Sequence, residues 1–326
     1  MKKIFSLIAI LIIIAGCDDG DITFKTFNFT DAEVNVCTNT DINTFYKQNE
    51  TEILELKLAE GSLRNRSTVD PETKNDIPYT IAVGGDAPNK ITYKNYNSKV
   101  TSYCTSTTAA SETWNGTGTL SVITRERRVD GKLKGYSHVI TLQNITFSKG
   151  DETITINNNA FGSVNKDFNF DFDFSQNDAD PIVQKCDETS TFIYTTKSKE
   201  VLVLAFNDFN GTFQNTSGTT EIALGAGSDD NTLKFTLYDG TLTRSKICDP
   251  DSQAPVTPKS VEQWQATNGN IKIVTTEQST GEFEHKIYLY DVTFLNTATN
   301  DVFILSDVVD TTEDNGYLFG TYITSP

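Results

Sequence analysis

The sequence predicts an all-β protein, built as two tandem, internally duplicated β-sandwich or barrel-like domains behind a short apolar leader. Three observations predict this. Short runs that alternate apolar and polar residues, or are rich in β-branched side chains, recur along the chain between clusters of Gly, Asn, Asp and Thr. No stretch keeps a helical period beyond three turns. The second half of the chain also repeats the first, with His138-Val-Ile-Thr-Leu-Gln-Asn-Ile-Thr-Phe147 aligning without a gap on His285-Lys-Ile-Tyr-Leu-Tyr-Asp-Val-Thr-Phe294.

The leader comes first. Lys2 and Lys3 precede a stretch from Ile4 to Ala15 that is apolar apart from Ser6. A bilayer span needs about 20 apolar residues, so this shorter segment reads as the core of a signal peptide. Ile14-Ala15-Gly16-Cys17 resembles the bacterial lipobox. The resemblance implies a lipoprotein signal peptide over residues 1–16, removed before Cys17, with acyl chains on that cysteine as the membrane partner. Each buried methylene contributes about 0.8 kcal/mol, so two or three chains suffice as an anchor. Asp18, Asp19 and Asp21 follow at once and resemble the acidic signal that sends lipoproteins of the Bacteroidota to the cell surface. In enterobacteria an Asp beside the lipidated cysteine favours inner-membrane retention instead. The expected location is the outer membrane, surface-exposed or else facing the periplasm.

The repeat extends upstream of the histidines. Gly118-Thr-Leu-Ser-Val-Ile-Thr124 matches Gly269-Asn-Ile-Lys-Ile-Val-Thr275, and Glu112-Thr-Trp114 matches Glu262-Gln-Trp264. Thr44-Phe45 with Glu52-Ile-Leu-Glu-Leu56 matches Thr191-Phe192 with Glu200-Val-Leu-Val-Leu204. Trp114, Trp264, His138 and His285 are the only tryptophans and histidines. The cysteines keep the period, Cys37 matching Cys186 and Cys104 matching Cys248. An oxidising compartment favours disulfides. Of the three possible pairings, Cys37 with Cys104 and Cys186 with Cys248 treats both repeats alike and leaves each independent. Closing a loop of this size stabilises a domain by about 4 kcal/mol in the chain-entropy account. Free thiols and a metal site are the rivals, and cysteines this far apart without a Cys-x-x-Cys argue against metal.

The predicted strands include Ile53 to Leu58, Leu120 to Ile123, His138 to Phe147, Val201 to Phe206, Ile271 to Val274 and His285 to Phe294. Asp130-Gly131 reads as a hairpin turn, and Thr280-Gly281 holds the same place in the second repeat. Phe168, Phe170, Phe172 and Phe174 alternate with polar residues and read as a strand opening the second domain, with a counterpart around Phe24, Phe27 and Phe29. The domains are therefore placed at 17–165 and 166–326. A sandwich and a lipocalin-like barrel give the same pattern of strands. Residues 18–165 carry a net charge of −4 and 166–326 one of −15, so the two surfaces differ.

The formal charge of −17 excludes a surface made to bind nucleic acid, since the only tight basic group is Arg125, Arg127 and Arg128. His138 and His285 each lack a second ligand at metal spacing and read as structural residues at strand starts. Trp114 and Trp264 read as core or rim anchors, with a sugar-stacking platform as the functional alternative. Two acidic groups could offer oxygen ligands to calcium: Asp171, Asp173, Asp178 and Asp180, or Asp307, Asp310, Glu313 and Asp314. Neither follows the loop spacing of calcium-binding helices. Asp310-Thr311-Thr312 resembles the short O-glycan acceptor of Bacteroidota. No nucleophile elbow, phosphate loop or dinucleotide fingerprint is present in the sequence.

The lipobox, the acidic start and the motif Gly-x-Ile-x-Ile-x-Thr followed by His-x-Ile-x-Leu-x-Asp-Val-Thr-Phe resemble envelope lipoproteins of flavobacteria, a group generally of uncharacterised function. The resemblance implies a location and an all-β fold, with no catalytic residues, metal or cofactor to carry over. The expected function is a non-enzymatic binding, adhesion or structural module that meets a glycan or protein ligand. The alternative is a surface hydrolase acting on polysaccharide, which needs two carboxylates across a cleft. A cleft lined by convergent acids in one domain and absent from its twin would favour the enzyme.

Overall fold

The computed structural model describes residues 27–37, 43–175, 180–225, 227, 230–249, 257–311 and 316–325. The leader, Cys17 and Phe24 lie outside them. The first sheet comprises β1 (Val34–Val36), β2 (Thr44–Asn49), β3 (Glu52–Lys57), β4 (Tyr79–Val83), β5 (Lys90–Asn95), β6 (Glu112–Val129), β7 (Lys132–Lys149), β8 (Glu152–Ile156) and β9 (Asn159–Asp167). The second comprises β10 (Gln184–Lys185), β11 (Phe192–Lys197), β12 (Glu200–Ala205), β13 (Gly218–Ala223), β14 (Thr232–Tyr238), β15 (Ser260–Glu277), β16 (Phe283–Leu295), β17 (Val302–Ile304) and β18 (Tyr317–Thr324). Among the described residues helix is confined to single turns, including α1 (Phe209–Thr212), α2 (Arg244–Cys248) and α3 (Leu305–Val308).

The two sheets have the same topology. The first runs β1-β2-β3-β5-β6-β7-β8, with β4 also on β6 and β9 also on β7; adding nine to every strand number gives the second. Each is organised by one long hairpin, β6–β7 or β15–β16. The turn at Asp130-Gly131 has positive φ at both residues (50° and 81°), the conformation that a two-residue hairpin with right-handed strand twist requires. Halfway along, an extra residue in the return strand breaks the ladder: Asn144 at φ 52° in β7 and Asp291 at φ 50° in β16. Opposite the first lies Gly118 at φ 152°, where an added Cβ would stand 2.5 Å from the Asn144 carbonyl oxygen. Such a bulge bends and twists the strands. The two halves of each hairpin thus belong to opposing layers, one continued by β5 and β8 and the other by β4 and β9. Each repeat is therefore a sheet folded back over its own core. The first core gathers Phe45, Leu56, Tyr93, Trp114, Leu142 and Phe147 among others, and the second Leu204, Phe235, Trp264, Leu289 and Phe294.

Several expectations need correction. Residues 168–174 form no strand. Phe168 N still donates to Lys134 O (2.9 Å), but beyond it the chain is an irregular strap, with Phe172 at φ 51°, whose Asp171 and Phe172 amides donate to the buried Glu200 carboxylate (2.9 and 3.0 Å) in place of a ladder. The boundary at residue 165 falls inside β9, which continues to Asp167. The match of Thr44-Phe45 with Thr191-Phe192 slips by one. Asn49 pairs with Glu52 and Lys197 with Glu200 across the two tight turns, so Phe45 corresponds to Ile193. A one-residue slip would turn every side chain to the other face, and both Phe45 and Ile193 are buried. His138 also lies well inside β7 and does not head it.

The repeats meet where the tip of the β6–β7 hairpin packs on α3. Arg128 binds Asp307 (2.8 Å) and Lys132 binds Asp310 (2.9 Å). Asp301, buried, accepts from the Asn65 backbone amide (2.8 Å) and its side-chain Nδ2 (2.9 Å).

Candidate functional site

The residues singled out in the sequence take up structural positions. Cys37 bonds Cys104 and Cys186 bonds Cys248, each with Cα atoms 5.4 Å apart. They staple the end of the outermost strand of each sheet, β1 or β10, to a single helical turn, Tyr103–Thr105 in the first repeat and α2 in the second. Trp114 and Trp264 are 3% and 2% exposed, so neither offers a face to a sugar ring. The Trp264 indole instead donates to Glu262 (3.0 Å).

Each histidine shares a hydrogen bond through Nδ1 with a threonine hydroxyl on the neighbouring long strand, Thr124 with His138 and Thr275 with His285, both at 2.9 Å. Both rings are fully buried. Burial, with Lys166 nearby, pushes His138 down to about 4, and burial lowers His285 too. They are neutral at pH 7 and pin the two strands together. Their second nitrogens differ: His285 Nε2 meets the Thr324 hydroxyl at 2.9 Å, while His138 Nε2 is buried without a partner.

The acids are similarly occupied. Asp173 pairs with Lys197 (2.7 Å), and Asp307 and Asp310 with the hairpin-tip cations, so these three members of the calcium candidates serve as counter-charges, while Asp171 and Asp180 are exposed. Asp178, Thr312, Glu313 and Asp314 lie outside the described residues. No group of three or more His, Cys, Asp or Glu that could hold a metal is found among the described residues. A cleft of about 500 Å³ between the repeats is lined by Glu60, Glu262, Asp301 and Asp167. Glu262 is engaged by Trp264 and Asn169, Asp301 by Asn65 and Asp167 by Arg127, and Glu60 is exposed.

The chain matches no protein family, no curated protein and no solved structure. The comparison it does offer is internal, because one fold has been built twice with different side chains. In the first repeat a cavity of about 480 Å³ opens into the core between β1 and β9, walled by Phe27, Phe29, Leu54, Leu142 and Phe161, with Asn159 and Ser163 among its polar residues. In the second repeat the same interior is filled. The strap that delivers Phe170 and Phe172 goes on to deliver Phe174, which is fully buried, and Tyr317 packs beside it, 5.7 Å from Phe172 between ring centroids.

Register explains the difference. Phe27 stacks on Tyr93 and Phe29 meets it edge-on, as Phe170 and Phe172 pack on Phe235. After Phe29, however, the first strap turns outward, Ala32 N donating to Phe29 O (3.2 Å), and Asp31 is left exposed where spacing would put Phe174. Leu142 pairs with Asn159 as Leu289 pairs with Tyr317, so an exposed Asn stands in the place of a half-buried Tyr packed against the core.

Lys47 completes the contrast. On β2 it faces the core with Phe45 and lines the cavity, at 4% exposure. Its ammonium makes no hydrogen bond or ion pair with a described residue. Burial lowers its pKa, and the Asp31 charge draws it part of the way back. The corresponding residue of β11 is Thr195. Sequence reasoning passed over Lys47. The available signal was a lysine in phase with the core residues of an alternating strand, opposite a threonine in the other copy.

Proposed function

We propose that the protein is a non-enzymatic binding module of the cell envelope, tethered through Cys17, in which the first repeat receives a small, largely apolar molecule and the second is its filled structural twin. One observation carries the reading: the same sheet, folded twice, is plugged by Phe174 and Tyr317 in one copy and open in the other. A cavity of this size with mostly apolar walls and a few polar groups is what a small-molecule site requires. It is lined by rings and aliphatic chains and not by convergent acids, which supports binding over hydrolysis.

The test is saturable binding of the neutral fluorophore N-phenyl-1-naphthylamine by the purified protein. Asn159→Tyr, which restores the residue of the closed twin, is expected to abolish it. No saturable binding, or binding indifferent to Asn159→Tyr, overturns the reading. Display at the surface is tested separately by protease shaving of intact cells, where protection would place the protein in the periplasm.

A further inference from the structure

We infer that the molecule held by the first repeat is a monoanionic amphiphile, an apolar chain or ring ending in a carboxylate, and that Lys47 receives the carboxylate. This rests on the proposed function and names the ligand class of that same cavity. Lys47 is the cation of the cavity wall; Glu33, at the rim, is exposed. Lys47 pairs with Leu54 across β2 and β3 and is 4% exposed as a residue, and its ammonium has no hydrogen-bonded partner among the described residues.

An ammonium in that setting is a cost to folding unless an opposite charge meets it. Packing does not demand one at this position. The twin sheet builds the same corner with Thr195 and buries it completely. A bound carboxylate would supply the missing acceptor while its tail covers Phe27, Phe29, Leu142 and Phe161, so the polar and apolar parts of the site call for the two halves of one molecule. The single ammonium sets the head group. One lysine matches one carboxylate, and the exposed Asp31 and Glu33 nearby would repel a second negative charge, whereas a dianion such as a phosphate monoester calls for several donors or an arginine fork.

The experiment is displacement of bound N-phenyl-1-naphthylamine at pH 7.5 by dodecanoate, dodecanol and dodecylamine, which share a tail and differ in charge. Dodecanoate is expected to bind at least tenfold more tightly than dodecanol, and dodecylamine more weakly than either. In Lys47→Met the acid is expected to fall to the level of the alcohol, with the alcohol unchanged. Lys47→Thr, which copies the twin, gives the same comparison if the methionine variant misfolds. Equal displacement by acid and alcohol in the unmodified protein, or a preference for acid that survives both substitutions, overturns the inference and leaves the apolar site standing. Failure of the fluorophore itself to bind overturns the underlying reading instead.

Discussion

Replacing His138 by Gln removes a side chain whose protonation the fold resists, and the effect on stability depends on pH in a calculable way. His138 is fully buried, its Nδ1 engaged by Thr124 and its Nε2 unpartnered, and its pKa falls to about 4. In the unfolded chain a histidine titrates near 6.5. Above that value both states are neutral and the group contributes no pH dependence. As pH falls below it, the unfolded chain takes up a proton that the folded chain refuses, so stability is lost until the folded pKa is reached. Between pH 7 and pH 5 the linkage amounts to about 2 kcal/mol, of a maximum near ~3 kcal/mol. Urea unfolding of both proteins at the two pH values measures it. The carboxylates titrate alike in both, so the stability difference between wild type and His138→Gln should shift by about 2 kcal/mol in favour of the variant on going from pH 7 to pH 5. An unchanged difference would show that His138 is not held neutral by burial, and would refute the argument.

Other outcomes follow from the same geometry. Cys104→Ser opens a loop with a sequence separation of 67 residues and should lower the stability of the first repeat by about 4 kcal/mol, visible in calorimetry as one melting step moved and one unchanged. Asp301→Ala leaves the Asn65 amide and Nδ2 without their acceptor at the junction of the repeats, which should cost about 2 to 3 kcal/mol and speed proteolysis near residue 65. Asn159→Tyr should raise the melting temperature of the first repeat while it abolishes fluorophore binding, because burying an aromatic ring contributes about 2 kcal/mol; a lowered melting temperature would show that the cavity cannot accept the ring. Gly118→Ala should destabilise by about 1 to 3 kcal/mol through its backbone conformation alone, and a neutral result by urea titration would contradict the bulge geometry.

Much of the architecture was legible in the residues themselves, because strand periodicity is local and a duplication can be read by aligning the chain on itself. The all-β class, the long hairpins, the turn at Asp130-Gly131, the partners of the four domain cysteines and the equivalence of Trp114 with Trp264 and of His138 with His285 all belong to that kind. Alternation alone could not separate a strand from the strap at 168–174, since a chain bonded to the Glu200 carboxylate and a chain bonded to a ladder show the same sequence of rings and acids. It also missed the register of the first hairpin by one residue, which only the cross-strand pairs fix.

The candidate site was the least legible part. A sequence shows which residues are present, and a cavity is made by those that fail to arrive. Asp31 and Asn159 are ordinary polar residues until the second repeat shows Phe174 and Tyr317 filling the corresponding space, and Lys47 is an ordinary lysine until the pleat of β2 turns it inward. The sequence by itself therefore determined the fold class, the repeat and the covalent staples, all of which depend on spacing along the chain. Only the tertiary structure decided which copy is hollow, because an interior is closed or left open by side chains that are distant in sequence and meet only when the sheet folds over itself.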